Sequence, residues 1–299
     1  MDQVSMGKLS DAELYPAKCY CSVEDDDPLK PPLKRRFQTE YLMNIDFMAA
    51  AEPDGRDIWR YRRIGTDTPV EMALWGGQTH PALRSHFHEE AQLTFVASGC
   101  RCFSVAEQVI EVREGEFVLI PPSVLHGATH AASVGTVSFN LYLPRSILAT
   151  IPQRAELYTM PQHWANARAV GLHEILKLLE SRGACSDHRD SDRSGPDHSD
   201  RSDSNDLRQH ITSTDATIKH LAAASGFSRE GYTRLFSRAI GIAPSRYRLL
   251  HRLNEARALL REGEAVASVA TDTGFADQSH LGRHFLAAFG TTPRCYRDG

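Results

Sequence analysis

Between residues 57 and 143 the apolar positions come in short runs: VEMALW, AQLTFVAS, QVIEV, EFVLI and TVSFNLYL. These runs are rich in β-branched and aromatic residues, and turn residues interrupt them about every 8–12 positions, which predicts a small all-β sandwich or barrel. From residue 164 the period changes. In residues 164–182, WANARAVGLHEILKLLESR, Leu172, Ile175, Leu176 and Leu179 fall at i, i+3, i+4 and i+7, the stripe of a flanking helix. That stripe faces either its own domain or a second subunit. A further helix is predicted over 244–262, with Pro244 at its favoured first position, Leu249, Leu253, Ala256 and Leu260 as its apolar face, and Gly263 ending it.

Between the two patterns lies CSDHRDSDRSGPDHSDRSDSND, residues 185–206, with seven Asp, six Ser and three Arg and no aliphatic or aromatic residue. Such a stretch buries too little apolar surface to offset its ordering entropy, so residues 185–209 are expected to be a disordered linker. A calcium loop is the rival reading, but the Gly at position six and Glu at position twelve are missing. Residues 1–50 lack a firm period, and the run EDDDPLKPPLKRR predicts a mobile arm. The expected architecture is therefore α+β in two domains: a β domain over 51–184 and an all-α domain over 210–299.

Composition narrows the class. Hydrophobic residues make up 41% and charged residues 24%, as in ordinary globular proteins. No run approaches the ~18 apolar residues of a membrane helix. MDQVSMGKLSDAELYP is not a secretory signal, so the expected compartment is the cytoplasm. The net charge of −4 hides a division: residues 210–299 carry 12 Lys+Arg, eleven of them Arg, against 8 Asp+Glu. The remainder is acidic. A positive, Arg-rich end suits a polyanion partner.

The last ninety residues contain a duplication with a period of 48–49 positions. Ile218, Leu221 and Ala222 recur as Val266, Val269 and Ala270, and Gly226-Phe227 recurs as Gly274-Phe275. Arg234, Phe236, Gly241, Pro244, Tyr247 and Arg248 recur as Arg283, Phe285, Gly290, Pro293, Tyr296 and Arg297. Each copy reads as a short helix, a Gly-Phe turn and a second helix, capped by Ser228 or Asp277. The buried faces are expected from Tyr232, Leu235 and Phe236, and from Leu281, Phe285 and Phe289. Two helices around a Gly turn make a helix-turn-helix, whose second helix can enter the major groove. The connecting helix is roughly 28 Å long, close to the ~34 Å between successive groove faces, so both copies can read one side of a duplex.

The stretch GFADQSHLGRHFLAAFGTTPRCYR resembles the signature of the AraC/XylS family of transcriptional regulators, and residues 210–297 resemble its whole two-motif DNA-binding domain. The resemblance implies base contacts early in each second helix: Arg229, Glu230, Thr233 and Arg234 in the first copy, Gln278, Ser279, Gly282 and Arg283 in the second. Arg246 and Arg248 are the expected phosphate contacts. Gly231 costs its helix ~1 kcal/mol in propensity, and Gly282 stands where the family usually has a polar residue. The family further implies activation as the commoner outcome, with double-stranded operator DNA and RNA polymerase as partners, and the stripe of residues 164–182 predicts a homodimer through that helix.

RSHFHEEAQLTFVASG and GEFVLIPPSVLHG resemble the two halves of a cupin barrel motif, which AraC-like regulators often carry as an effector sensor. His86, His88 and His126 occupy the histidine positions of a metal-binding cupin, but the expected carboxylate falls at Gln92 or Leu93. Glu89 and Glu90 are poor substitutes because they follow immediately after His88. The expectation is a metal-free and cofactor-free pocket in which His86, His88, Gln92 and His126 meet a small-molecule effector, and no catalysis. The alternative is a metal-dependent cupin enzyme, dioxygenase-like, with a non-functional helical tail. Cys19-x-Cys21 and Cys100-x-Cys102 have the wrong spacing for zinc, and Gly-rich phosphate loops and the Gly-x-Ser-x-Gly elbow are absent.

Overall fold

The computed structural model describes residues 44–45, 58–64, 70–77, 83–105, 108–129, 135–148, 150–165, 170–186, 198–213 and 216–299. Most of the arm, the Cys19-x-Cys21 pair and residues 187–197 of the expected linker lie outside these. Strands β1 (Asn44–Ile45), β2 (Ile58–Ile64), β3 (Val70–Gly77), β4 (Leu83–His86), β5 (Ala91–Ser98), β6 (Cys100–Val105), β7 (Gln108–Arg113), β8 (Glu116–Ile120), β9 (His126–Thr129), β10 (Thr136–Leu143) and β11 (Glu156–Thr159) precede helix α1 (Gln162–Ala165). Then come β12 (Val170–Gly171) and α2 (Leu172–Ser186). A six-stranded antiparallel sheet, β11-β8-β5-β10-β3-β2, faces a four-stranded one, β4-β9-β6-β7. The β-domain expected from the sequence is the one that forms.

Strand β10 is buried along its whole length because both of its faces are covered. Phe95 of β5, Phe117 of β8 and Phe139 of β10 stack on the outer face, with ring centroids 4.7 and 4.8 Å apart, and α1 and α2 cover them. The alternate positions, Gln92, Thr94, Ser138, Asn140 and Tyr142, share the opposite, inner face, as the period of two requires. That face is the floor of the site described below.

Three expectations change. In place of one helix over 164–182, α1 and α2 form, with β12 between them pairing with β1 of the arm. The stripe of α2 serves its own domain: Ile175 and Leu179 are buried in the β core, and Leu172 and Leu176 pack against it. The acidic linker is helical from His198 onward, where α3 (His198–Thr212) begins. Its polar composition is outweighed by Leu207 and Ile211, one turn apart, of which Ile211 is fully buried in the helical core.

The C-terminal helices are α4 (Ile218–Ala224), α5 (Arg229–Ile240), α6 (Pro244–Arg261), α7 (Val266–Asp272), α8 (Gln278–Phe289) and α9 (Pro293–Asp298). Both predicted caps hold: Ser228 Oγ accepts from Gly231 N at 3.0 Å, and Asp277 Oδ1 accepts from His280 N at 2.7 Å. Tyr232 and Phe236 are buried as expected, but Leu235 is 38% exposed, lying outside the narrow stripe of α5. Leu281, Phe285 and Phe289 are all buried.

The two domains are docked on one another. Trp59, Tyr61, Trp75, Phe87 and Tyr142 of the β domain share one apolar core with α3–α9. Phe87 stacks on Tyr247 at 5.1 Å. At the centre Arg257, 1% exposed, pairs with Glu71 and with Glu90 (3.1 Å), and Arg261 also meets Glu90. Tyr296 donates its hydroxyl to Glu71. The polar linker gives no hint of this docking, because the side chains that produce it lie elsewhere in the chain.

Candidate effector site and nucleic-acid interface

The four residues expected to form a pocket do come together. His86 and His126 are register partners across β4 and β9, and His88 follows just after the end of β4. Each ring is held through Nδ1–H, which donates to the carbonyl of Arg84, Glu90 and Val124 for His86, His88 and His126, at 2.9, 2.9 and 2.8 Å. The three Nε2 atoms are thereby left bare. The Gln92 side-chain amide pairs with His88 Nε2 at 2.9 Å. Gln92 Nε2 donates to Thr94 Oγ1 at 2.8 Å, and Thr94 Oγ1 to Asn140 Oδ1 at 2.8 Å.

All three imidazoles are buried and neutral at ordinary pH. Burial, then the neighbouring His88, lowers His86 to about 3. Burial also lowers His88 and takes His126 well below the usual value. Their ligand nitrogens lie within 4.8 Å of one another, so the triad offers the donors that zinc, iron or nickel accept. Two features oppose a dication. Among the described residues no carboxylate joins the set, because Glu90 is taken by Arg257 and Arg261 and Glu89 is exposed. Buried cations also act on the same rings, Arg257 on His86 and His88 and Arg101 on His126.

The cavity beside the histidines spans the domain junction. Trp59, Tyr61, Gln92, Arg101, Phe103, His126, Asn140 and Tyr142 line it from the β domain, and Ala288 and Phe289 close it from α8. Its volume is about 10 Å³. Tyr61 donates its hydroxyl to Phe289 O at 2.7 Å, and the Phe289 ring meets His86 edge-on at 5.7 Å. Sequence reasoning missed Arg101, Glu71, Glu90 and Arg257 as site residues. The signals were present: Arg101 shares the inward face of β6 with Phe103 and Val105, and Arg257 lies on the apolar stripe of α6 between Leu253 and Leu260. A charged residue on a buried face needs a partner.

On the helical domain, Arg229, Glu230 and Arg234 of α5 and Gln278, Ser279 and Arg283 of α8 are exposed, with Thr233 and Gly282 half-buried. These eight residues stand on the outer, N-terminal parts of the two second helices. The expected phosphate contacts fare differently. Arg246 Nη2 donates to Ser85 O of the β domain at 3.0 Å, and Arg248 Nε donates to Ile211 O at 3.2 Å. Both guanidinium groups are thus engaged inside the protein in this arrangement, because domain docking and α3 bring carbonyls to them. Among the described residues no helix is long and apolar enough to cross a membrane.

Residues 69–193 match the AraC-like ligand binding domain, and residues 221–299 match a helix-turn-helix domain. The chain is 36% identical over 92 residues to the transcriptional activator NphR of a Rhodococcus species. That match covers 30% of this chain and 27% of NphR, so the chain spans about a quarter of the length of that relative. It is 23% identical over 248 residues to the HTH-type transcriptional regulator YdeC of Bacillus subtilis, covering 71% of this chain and 85% of YdeC. Among solved structures, fatty acid-bound ToxT from Vibrio cholerae matches with a TM-score of 0.52 at 12% identity, over 79% of this chain and 97% of that one. The likeness to ToxT is one of fold.

Proposed function

Because the chain belongs to the AraC family of transcriptional regulators, we propose that it binds operator DNA sequence-specifically and that a small molecule in the β domain controls this binding. The observation that carries the reading is the double use of α8. Its N-terminal half presents Gln278, Ser279 and Arg283 to the outside, and its C-terminal end, Ala288 and Phe289, closes the cavity above the histidines. An occupant of the cavity acts on the same rigid helix that reads DNA. Arg234 and Arg283 are placed to bond guanine edges, and Gln278 to bond adenine. Activation is the proposed outcome, in line with the described activity of NphR.

The remaining assignments belong to the same proposal. His86, His88, Gln92 and His126 form the effector pocket and bind without catalysing, a reading supported by the regulator relatives and by the absence, among the described residues, of a carboxylate beside the triad. The protein works in the cytoplasm as a homodimer, with RNA polymerase as a partner of the activated form. The dimer contact uses a surface other than the Ile175 and Leu179 face of α2, which its own core occupies.

Selection of the full-length protein on random-sequence duplexes tests the reading. It should enrich a motif with repeated half-sites. On the selected duplex, Arg234→Ala and Arg283→Ala should each cost about 1–3 kcal/mol and relax one base position. Failure to enrich any motif would remove sequence-specific binding from the account.

A further inference from the structure

We propose that Arg101 is the anion-binding centre of the effector pocket and that the effector is a small organic carboxylate; this rests on the regulator reading above and names its ligand class. Arg101 is 1% exposed and lines the cavity. Its Nη1 donates to Asn140 Oδ1 at 3.2 Å and makes a long contact of 3.5 Å with Ser138 Oγ, while Nη2 has no partner. Among the described residues no carboxylate pairs with it. The neighbouring buried charges, Arg257, Glu71 and Glu90, are spent on one another and on the half-buried Arg261. The guanidinium lies over the rings of Phe103 (4.7 Å) and Trp59 (5.5 Å), which recovers part of its lost hydration. Burial lowers its pKa only to about 9, so it stays charged at neutral pH.

An isolated buried cation is strongly unfavourable unless something supplies the opposite charge. A ligand in the cavity that Arg101 lines supplies it. A single cation calls for a monoanion, and the planar fork of Arg matches a carboxylate with two parallel hydrogen bonds. Phe103, Trp59 and Phe289 offer apolar walls for its carbon body. A second orphan refines the picture: His126 Nε2 is buried, bare and without a partner in the same cavity, and it accepts a hydrogen bond from a hydroxyl.

The size of the cavity gives the regulatory consequence. About 10 Å³ holds roughly one water. A carboxylate with any carbon body enters only by pushing Ala288 and Phe289 out of the cavity mouth. Ligand and docked α8 therefore compete, so binding favours the arrangement in which the helical domain is released, and a difference in affinity between the two states is what shifts a population.

The test uses the full-length protein, calorimetric titration and three acid–amide pairs: benzoate and benzamide, 2-hydroxybenzoate and its amide, hexanoate and hexanamide, all at one chloride concentration. At least one acid should bind at least about tenfold more tightly than its amide. Arg101→Met and Arg101→Gln should abolish that preference. Both variants should melt at or above the parent temperature without ligand, since each removes an uncompensated buried charge. The proposal is overturned if no acid outbinds its amide, if the preference survives in both variants, or if both melt well below the parent. DNA binding measured on the same samples separates the two readings. Retained DNA binding without an acid preference removes the carboxylate alone, whereas a parent protein that binds no DNA removes the regulator.

Discussion

His86, His88 and His126 tie the stability of the β domain to pH. Their values are lowered in the folded state, to about 3 for His86, so the unfolded chain binds protons first as pH falls. Stability is then complete above about 6.5 and is lost progressively from there toward the folded values. Melting temperature should therefore drop steadily between about pH 6.5 and about pH 4, and His126→Gln should flatten the curve. A profile that stays level across that window would contradict the neutral triad. The same residues test the metal question. Untagged protein should carry well under one equivalent of zinc, iron or nickel, because buried cations act on the rings and, among the described residues, no carboxylate joins them. One equivalent that disappears in His88→Ala would reverse that expectation.

At the scale of elements, the duplication provides paired experiments. Gly241 and Gly290 end α5 and α8 at equivalent places, with φ of 88° and 72°. A side chain is strained at both. At Gly241 the added Cβ meets open space, so Gly241→Ala should cost about 1 kcal/mol, mainly for the left-handed conformation. At Gly290 it would lie 2.7 Å from Trp59 Nε1 and 3.2 Å from Leu83 Cδ2, so Gly290→Ala should cost more and also disturb domain docking. Equal losses in denaturant melts would mean that the second copy is not seated on the β domain as described. The caps behave more alike. Ser228→Ala and Asp277→Ala should each cost about 1 kcal/mol, since each removes one side-chain bond to a first-turn N–H.

At the scale of the molecule, the Arg257 cluster joins sensor and reader. Burial opposes ionisation of Glu90, but Arg257 and Arg261 hold its carboxyl down to about 2. Removing one side of a buried pair commonly costs about 3–5 kcal/mol because the other charge stays behind. The double substitution Glu71→Gln with Glu90→Gln should therefore loosen the docking and split the calorimetric melt into two transitions. It should also release Arg246 from Ser85 O, which removes one contact that competes with phosphate. The slope of log affinity for DNA against log salt should steepen by about 0.9 for each additional phosphate that the freed cations neutralise. One transition with an unchanged slope would show that the two domains are coupled in some other way.

The sequence by itself determined the local and repeated features of this protein. Period-two runs specified the β domain, the 48–49-residue duplication specified paired helix-turn-helix units, and Ser228, Asp277 and Pro244 marked helix starts that the structure keeps. The convergence of His86, His88, Gln92 and His126 was implied by the resemblance of their two segments to the halves of a cupin motif. Only the tertiary structure decided which surface each stripe meets. It gave the face of α2 to its own core, anchored the polar segment after His198 through Ile211, and seated α6 and α8 on the β domain. The reason is physical. Periodicity records that a face is buried but not what buries it, and Glu71 and Glu90, the partners of Arg257, lie 186 and 167 positions away from it in the chain.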